Sequence, residues 1–317
     1  MKYAKKKLIK RIVVGGAALL IGVAAILSYQ MGKLIGENML LVEKEQDTNG
    51  NSILQLKEWG YDLKQFQMQY NAEEIELMAS DGQRIVGSYY TVDNNKVNDT
   101  IILVHGMGGT ATYMIPWVEM YLKEGMNVLA IDRRGTGRVV EGQLTYGWDE
   151  KKDLEACVDY LRENIGKHKL IVYGQSLGGT VVGVYAETKH AQENVDGFIL
   201  ECPMKSLKHM LFMVWKPESK ILQDYGVACG SWYLKVNHGF TFNNIDLLNT
   251  QQKNKVSTLL IGATRDDMCT PEDSKEIFNQ IAAENKQYYE TDSEHIKSYL
   301  DYPEEYAQRI MSFIKNL

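Results

Sequence analysis

Five short apolar runs, at 101–104, 128–131, 170–173, 198–200 and 259–261, recur along a chain of 317 residues with helix-patterned stretches such as "DLEACVDYLREN" and "PEDSKEIFNQIAAE" between them. Runs without polar alternation belong to strands covered on both faces, and strands alternating with helices join as parallel neighbours. The expected fold is therefore α/β, a doubly wound and mostly parallel sheet. Ahead of these runs, "EIELMASDGQRIVGSYY" has a period of two around Ser-Asp-Gly. That pattern predicts two strands joined by a tight turn, and it starts the globular domain at about residue 71.

Two segments break this rhythm. Residues 202–250 hold Met204, Met210, Phe212, Met213, Trp215, Trp232, Tyr233 and Phe240 without a convincing strand. That is too long for a simple connection and is expected to be an inserted helical lid. At the other end, Lys2, Lys5, Lys6, Lys7, Lys10 and Arg11 precede 21 uncharged residues, 12–32. At about 1.5 Å per residue such a helix spans the roughly 30 Å of bilayer hydrocarbon. A cleaved signal peptide is the competing reading, but the apolar stretch is long for one and no A-x-A site follows it. The expectation is a basic cytoplasmic tail at 1–11 and a single-pass anchor at 12–32. A polar tether and an aromatic-striped packing helix fill 33–70, and the catalytic domain lies outside the cell membrane.

The six early basic residues leave 29 basic against 41 acidic residues from Ile12 onward, which argues against a nucleic-acid partner. Cys157, Cys202, Cys229 and Cys269 are far apart, with neither C-x-x-C nor a histidine pair at ligand spacing, so no metal is expected.

The run at 170–173 leads directly into "GQSLGG", where Gly174 and Gly178 flank Ser176 as G-x-S-x-G. This spacing lifts a serine hydroxyl above a sheet on a sharp turn between strand and helix. A serine nucleophile needs a base, an acid that orients the base, and donors for the oxyanion. Among six histidines, His295 falls in the loop before the last helix, on the sheet edge that carries the serine. Asp266 and Asp267 follow the 259–261 run; Asp266 is preferred from the chain order Ser, Asp, His, and Asp267 remains an alternative. Oxyanion donors are expected from the backbone N–H groups of Met107, in "VHGMGG", and of Leu177. A phosphate cradle is the other use of a glycine-rich loop, but neither G-K-[ST] nor G-x-G-x-x-G occurs here.

The segments "HGMGG", "DRRGTGRVVEG", "GQSLGG", "ATRDDMCTP" and "SEH", in that order, resemble the α/β-hydrolase family, in its monoglyceride-lipase-like and serine-aminopeptidase-like branch. The resemblance covers about residues 70–317. It implies a sheet of about eight strands, a triad of Ser176, Asp266 and His295, and structural roles for Asp132 and Arg134. Ala263 stands where the family's acid loop usually has glycine, which keeps Asp267 in play. The activity expected is a membrane-anchored serine hydrolase acting on small acyl esters or lipid-like substrates without a cofactor. A peptidase of short peptides is the alternative, and it would want a carboxylate near the cleft to hold a free amine, for which Glu201 and the acids of the lid are the candidates and nothing singles one out. A tethered binding protein with a disabled hydrolase fold is the alternative outside enzymes.

Overall fold

In the computed structural model, which describes residues 2–44, 46–92, 98–217 and 219–317, every predicted run is a strand. The eight strands are β1 (Glu73–Met78), β2 (Arg84–Tyr90), β3 (Thr100–Val104), β4 (Asn127–Asp132), β5 (Leu170–Gln175), β6 (Gly197–Glu201), β7 (Thr258–Ala263) and β8 (Lys286–Thr291). They form one sheet in the order β1-β2-β4-β3-β5-β6-β7-β8. Strands β1, β2 and β4 pair antiparallel, and every other pairing is parallel. Every residue of β3 to β7 is buried, as unbroken apolar runs require, whereas the edge strands β1 and β8 alternate with exposed positions. The strand order reverses direction at β3, between β4 and β5. In open α/β sheets the crevice beyond the carboxyl ends of strands at such a point is the usual ligand site.

The described chain divides into two compact units, residues up to Met39 with Val214–Phe242, and Leu40–Met213 with Asn243–Leu317. In the second unit the core gathers on Trp117, whose indole N–H donates to Tyr306 Oη at 3.2 Å. Trp59 and Phe66 join that core, edge-on to Trp117 and Tyr90. The polar stretch expected as a tether departs from that reading. The N-terminal helix runs unbroken from Lys2 to Leu40, and residues 43–44 and 46–66 are folded onto the sheet unit. Asp47 and Asp62 cap the helices Thr48–Glu58 and Leu63–Gln69, accepting from the amides of Gly50 (2.9 Å) and Gln65 (3.0 Å). Thr48 Oγ1 accepts from the Gly137 amide at 3.0 Å, and Thr110 Oγ1 donates to Ser52 Oγ at 3.0 Å. The polar residues that looked like a solvated linker are thus caps and buried partners, which composition alone does not distinguish.

In the first unit the N-terminal helix and the helix Lys220–His238 lie side by side and parallel. Ser28 Oγ meets Tyr225 Oη at 2.6 Å, 197 positions away, and the contacts Gly32 to Cys229 and Gly36 to Tyr233 keep that offset. Close approach is permitted by small residues four apart on both helices, Gly32 and Gly36 on one, Gly226 and Gly230 on the other. A Cβ on Gly32 would lie 2.3 Å from the Cys229 carbonyl oxygen, while Ile35 Cδ1 and Cγ2 stand 3.3 and 3.0 Å from Cβ positions built on Gly226 and Gly230. Tyr29 packs edge-on to Trp232, and Tyr233 donates to the Glu37 carboxylate.

Gly32→Leu is expected to force these helices apart and to cost about 1–3 kcal/mol of unit stability. Gly22→Leu, with nothing within 4 Å of its Cβ, should leave stability unchanged. Urea titration of the full-length protein in detergent, followed by tryptophan fluorescence, compares the two.

Candidate active site

Strand β5 ends at Gln175 and the helix Leu177–Tyr185 begins one residue later, so the whole reversal falls on Ser176. Its φ of 54° and ψ of −120° lie where a non-glycine residue is strained, by about 1–3 kcal/mol. The flanking glycines allow it by having no side chain where backbones touch. A Cβ on Gly174 would sit 2.2 Å from the Gly178 carbonyl oxygen, and one on Gly178 would sit 2.2 Å from that of Val104. Ser176 N–H donates to the Glu201 carbonyl at 2.8 Å, tying the turn to the end of β6.

His295 reaches this serine from the loop after β8, its Nε2 2.9 Å from Ser176 Oγ. Its Nδ1 lies 2.6 Å from Asp266 Oδ2, in the loop after β7. The other carboxylate oxygen of Asp266 accepts the amides of Met268 (2.9 Å) and Cys269 (2.8 Å), which fixes its orientation. Burial pushes the Asp266 carboxyl up, but the imidazole and these two amides outweigh it and hold the group below its ordinary value, ionised. Asp267, one residue on, is exposed. Nδ1–H therefore faces a carboxylate, and Nε2 is left to take a proton from a hydroxyl.

Four of the other five histidines have polar partners, and His238 packs its ring near Tyr233. His190 bridges Tyr185 (2.7 Å) and Asp159 (2.9 Å), and His168 and His209 lie 3.6 and 3.4 Å from Asp99 and Asp273. His105 is fully buried at the end of β3, and burial followed by the neighbouring Arg133 charge drives its pKa well down. The neutral ring accepts the Arg133 amide on Nε2 at 3.2 Å, so Nδ1–H donates to the Gly106 carbonyl at 2.8 Å.

Met107 sits between Gly106 and Gly108 in the loop after β3, and this loop lies against the nucleophile elbow. A Cβ on Gly106 would be 3.3 Å from Ser176 Cβ. Leu177 is the first residue of the helix after Ser176, where backbone amides have no partner within the helix. Sequence reasoning missed what holds the loop. Arg133 donates through Nη2 to the Gly106 carbonyl at 2.9 Å and through Nε to that of His105 at 3.2 Å. Its two terminal nitrogens grip both carboxylate oxygens of Glu43, at 2.9 and 3.1 Å. Glu43 in turn accepts the Gly108 amide at 2.6 Å. A carboxylate three residues beyond the N-terminal helix therefore completes the support of the loop, 90 positions away from Arg133. The extra arginine in "DRRGTG" was the available signal. Its neighbours there are structural too: Asp132 accepts Ala111 N–H and Arg138 Nε, each at 2.7 Å, and Arg134 pairs with Asp153 and Asp81.

Glu201 does not serve the role considered for it as an amine-binding group. It is fully buried beneath the elbow, where it accepts from Tyr173 and, at 2.6 Å, from Tyr306, and burial pushes its carboxyl up. Cys202 offers its sulfur within 4.8 Å of ligand atoms on Asp266 and His295. Burial, then the nearby acids, raises that thiol well above its ordinary range, so it faces the pair protonated.

A serine on a strained elbow at the tip of β5 of this doubly wound sheet is the arrangement of the α/β-hydrolase fold, and the similarities found support that family. Residues 95–244 match a family model described as serine aminopeptidase, S33. The chain is 23% identical over 309 residues to the protein YqkD of Bacillus subtilis (strain 168), covering 97% of this chain and 98% of that one. It is 24% identical over 222 residues to the alpha/beta hydrolase domain-containing protein WAV2 of Arabidopsis thaliana, 68% of each chain. Among solved structures it is similar to the esterase Pf2001 of Pyrococcus furiosus, at 25% identity and a TM-score of 0.63 over 81% of this chain and 95% of that one.

Removing one member of a buried ion pair leaves the other charged and unpaired, at a cost of about 3–5 kcal/mol. Glu43→Ala should lower stability by that order. Glu193→Ala, which breaks the exposed pair with Lys189, should cost less than about 1 kcal/mol. Parallel urea titrations check the contrast, and equal losses would deny the buried pair its place in the loop.

Proposed function

We propose that the protein is a serine hydrolase that cleaves carboxylic esters through an acyl-enzyme intermediate. The observation that carries this reading is the unbroken path from Ser176 Oγ to His295 Nε2 (2.9 Å) and from Nδ1 to Asp266 Oδ2 (2.6 Å). In the first half-reaction Ser176 Oγ bonds to the ester carbonyl carbon as its proton passes to His295 Nε2. Asp266 stabilises the resulting imidazolium, and the amides of Met107 and Leu177 hold the oxyanion. Collapse of the adduct breaks the bond to the alcohol oxygen, which takes the proton from Nε2 and leaves. Water then attacks the acyl-enzyme, giving up a proton to His295, and the carboxylic acid departs as Ser176 is restored.

Ester rather than peptide substrates are favoured by the burial of Glu201, which removes that carboxylate as a handle for a free amine, and by the similarity to an esterase. The N-terminal helix supports membrane attachment. Lys5–Leu40 contains a window of mean hydropathy 2.3, and its residues 9–27 are exposed along their whole length, as a segment that faces lipid would be. The basic tail before it favours an N-terminus in the cytoplasm and a hydrolase unit outside the cell membrane. Small acyl esters or lipid-like molecules at that surface are the proposed substrates.

Ser176→Ala should abolish both hydrolysis of a short p-nitrophenyl ester and labelling by a fluorophosphonate, while a circular dichroism spectrum stays native. Asp266→Asn should lower kcat by about 10⁴-fold, the scale seen when a triad carboxylate loses its charge, and Asp267→Asn should have little effect. Labelling without turnover on ester or peptide panels would turn the reading toward a binding protein. Peptide turnover alone would turn it toward a peptidase.

Topology is tested separately. Protease added to intact cells should degrade the hydrolase unit, and the full-length chain should stay in the membrane fraction after a salt wash. A trimmed chain in the medium would indicate a cleaved signal peptide, and full protection would place the unit inside.

A further inference from the structure

The helix Lys220–His238 exposes an unusual set of side chains. Ile221 (83%), Tyr225, Trp232 (50%) and Val236 (62%) are open to solvent and recur at steps of four, seven and four, which is one continuous helical stripe, with Leu222 on its border. Asp224, Ala228 and Lys235 lie on the adjoining exposed flank, about 50–90° round the helix from the centre of the stripe. On the stripe's other side Gly226, Cys229, Gly230 and Tyr233 are turned inward, and Cys229 and Tyr233 meet the N-terminal helix. The stripe is therefore an exposed apolar face that runs alongside that helix, touching it only at Tyr225 (to Ser28) and Trp232 (to Tyr29) among the contacts described.

The parallel pairing of the two helices sets the depth of this face. Tyr225 is level with Ser28, to which it is hydrogen-bonded, so Ile221 stands about 6 Å lower, beside Ala24 in the apolar span. Trp232 stands about 10 Å above Tyr225, next to Tyr29 and beyond the end of the span. If residues 12–32 cross a bilayer, Ile221 lies about 12 Å and Tyr225 about 6 Å inside the C-terminal end of the span, and Trp232 about 4 Å beyond it. Trp232 then falls where Trp and Tyr concentrate in membrane proteins. Val214, six residues ahead of the helix, is exposed as well.

We infer that the helix Lys220–His238 is a second membrane contact, its Ile221, Leu222, Tyr225 and Trp232 face seated in the leaflet at the C-terminal end of the span. The surface takes a phospholipid bilayer, reached by continuity with the apolar N-terminal helix. This rests on the anchor reading given above, and the two are separable by experiment.

Single cysteines introduced as Leu20→Cys, Ile221→Cys, Tyr225→Cys, Asp224→Cys and Lys235→Cys in the full-length protein can be labelled with an environment-sensitive nitrobenzoxadiazole probe. The four native cysteines are buried, and unsubstituted protein supplies the labelling blank. In phosphatidylcholine vesicles containing 5-doxyl or 12-doxyl phosphatidylcholine, probes at 20, 221 and 225 should emit to the blue and be quenched severalfold more than the probe at 235, about 15 Å above Tyr225, with the flank probe at 224 between them. Quenching at 20 with none at 221 or 225 would overturn the second contact and leave the anchor intact. No quenching at 20 would overturn the anchor reading and this inference with it. A blue shift at 221 without lipid quenching, growing with the protein-to-lipid ratio, would assign the face to a second copy of the chain and so overturn the bilayer as its occupant.

Discussion

Backbone contact at the end of β5 governs the arrangement of the hydrolase unit. At Gly174 the strand meets the helix that follows, and at Gly178 that helix meets the end of β3, so closely that a single hydrogen is all that fits, each built Cβ falling 2.2 Å from a carbonyl oxygen. One residue must therefore reverse the chain, and Ser176 does so in a conformation usually left to glycine. Its strain is borne by neighbours on both sides, with the Glu201 carbonyl taking its amide and the loop after β3 packed against its Cβ. Surrounding structure that over-determines a residue in this way is what keeps such a conformation in place. His295 and Asp266 then need only arrive from loops on the same sheet edge, which the parallel order of β5, β6, β7 and β8 guarantees.

Charge holds the second half of the site. Burying Arg133 would be prohibitive alone, but two backbone carbonyls and a bidentate carboxylate satisfy its donors. The same carboxylate takes the Gly108 amide, so one ion pair fixes both ends of a short glycine-rich loop. His105, held neutral by burial and by the arginine, adds a further restraint without adding charge.

The fold was legible because it rests on local patterns, namely unbroken apolar runs for β3 to β7 and a period of two for β1 and β2. Gly174, Ser176 and Gly178 were legible for the same reason, since strand, elbow and helix are consecutive in the chain. His295 and the Asp266/Asp267 pair could be located by chain order and sheet edge, but choosing between adjacent carboxylates depends on side-chain direction. In the structure Asp266 faces the imidazole and Asp267 faces solvent. Glu43 was not legible, because a glutamate in a polar stretch looks alike whether it is solvated or buried against an arginine 90 positions away. The paired glycines at 32/36 and 226/230 were visible in the sequence, yet neither motif names its partner until the helices are seen side by side.

The position of Glu43 bears on where the chain can be cut ahead of the sheet. Only two residues lie between Leu40, where the N-terminal helix ends, and this carboxylate. A soluble form made by cutting just ahead of the sheet, near residue 70, would lose Glu43 together with Thr48, Ser52 and Phe66. It would keep Arg133 as a lone interior cation beneath a slack loop, and uncover the aromatic face that Phe66 closes. The segment between the N-terminal helix and β1 is thus part of the fold of the sheet unit, and a chain begun after it would lack the buried partner of Arg133.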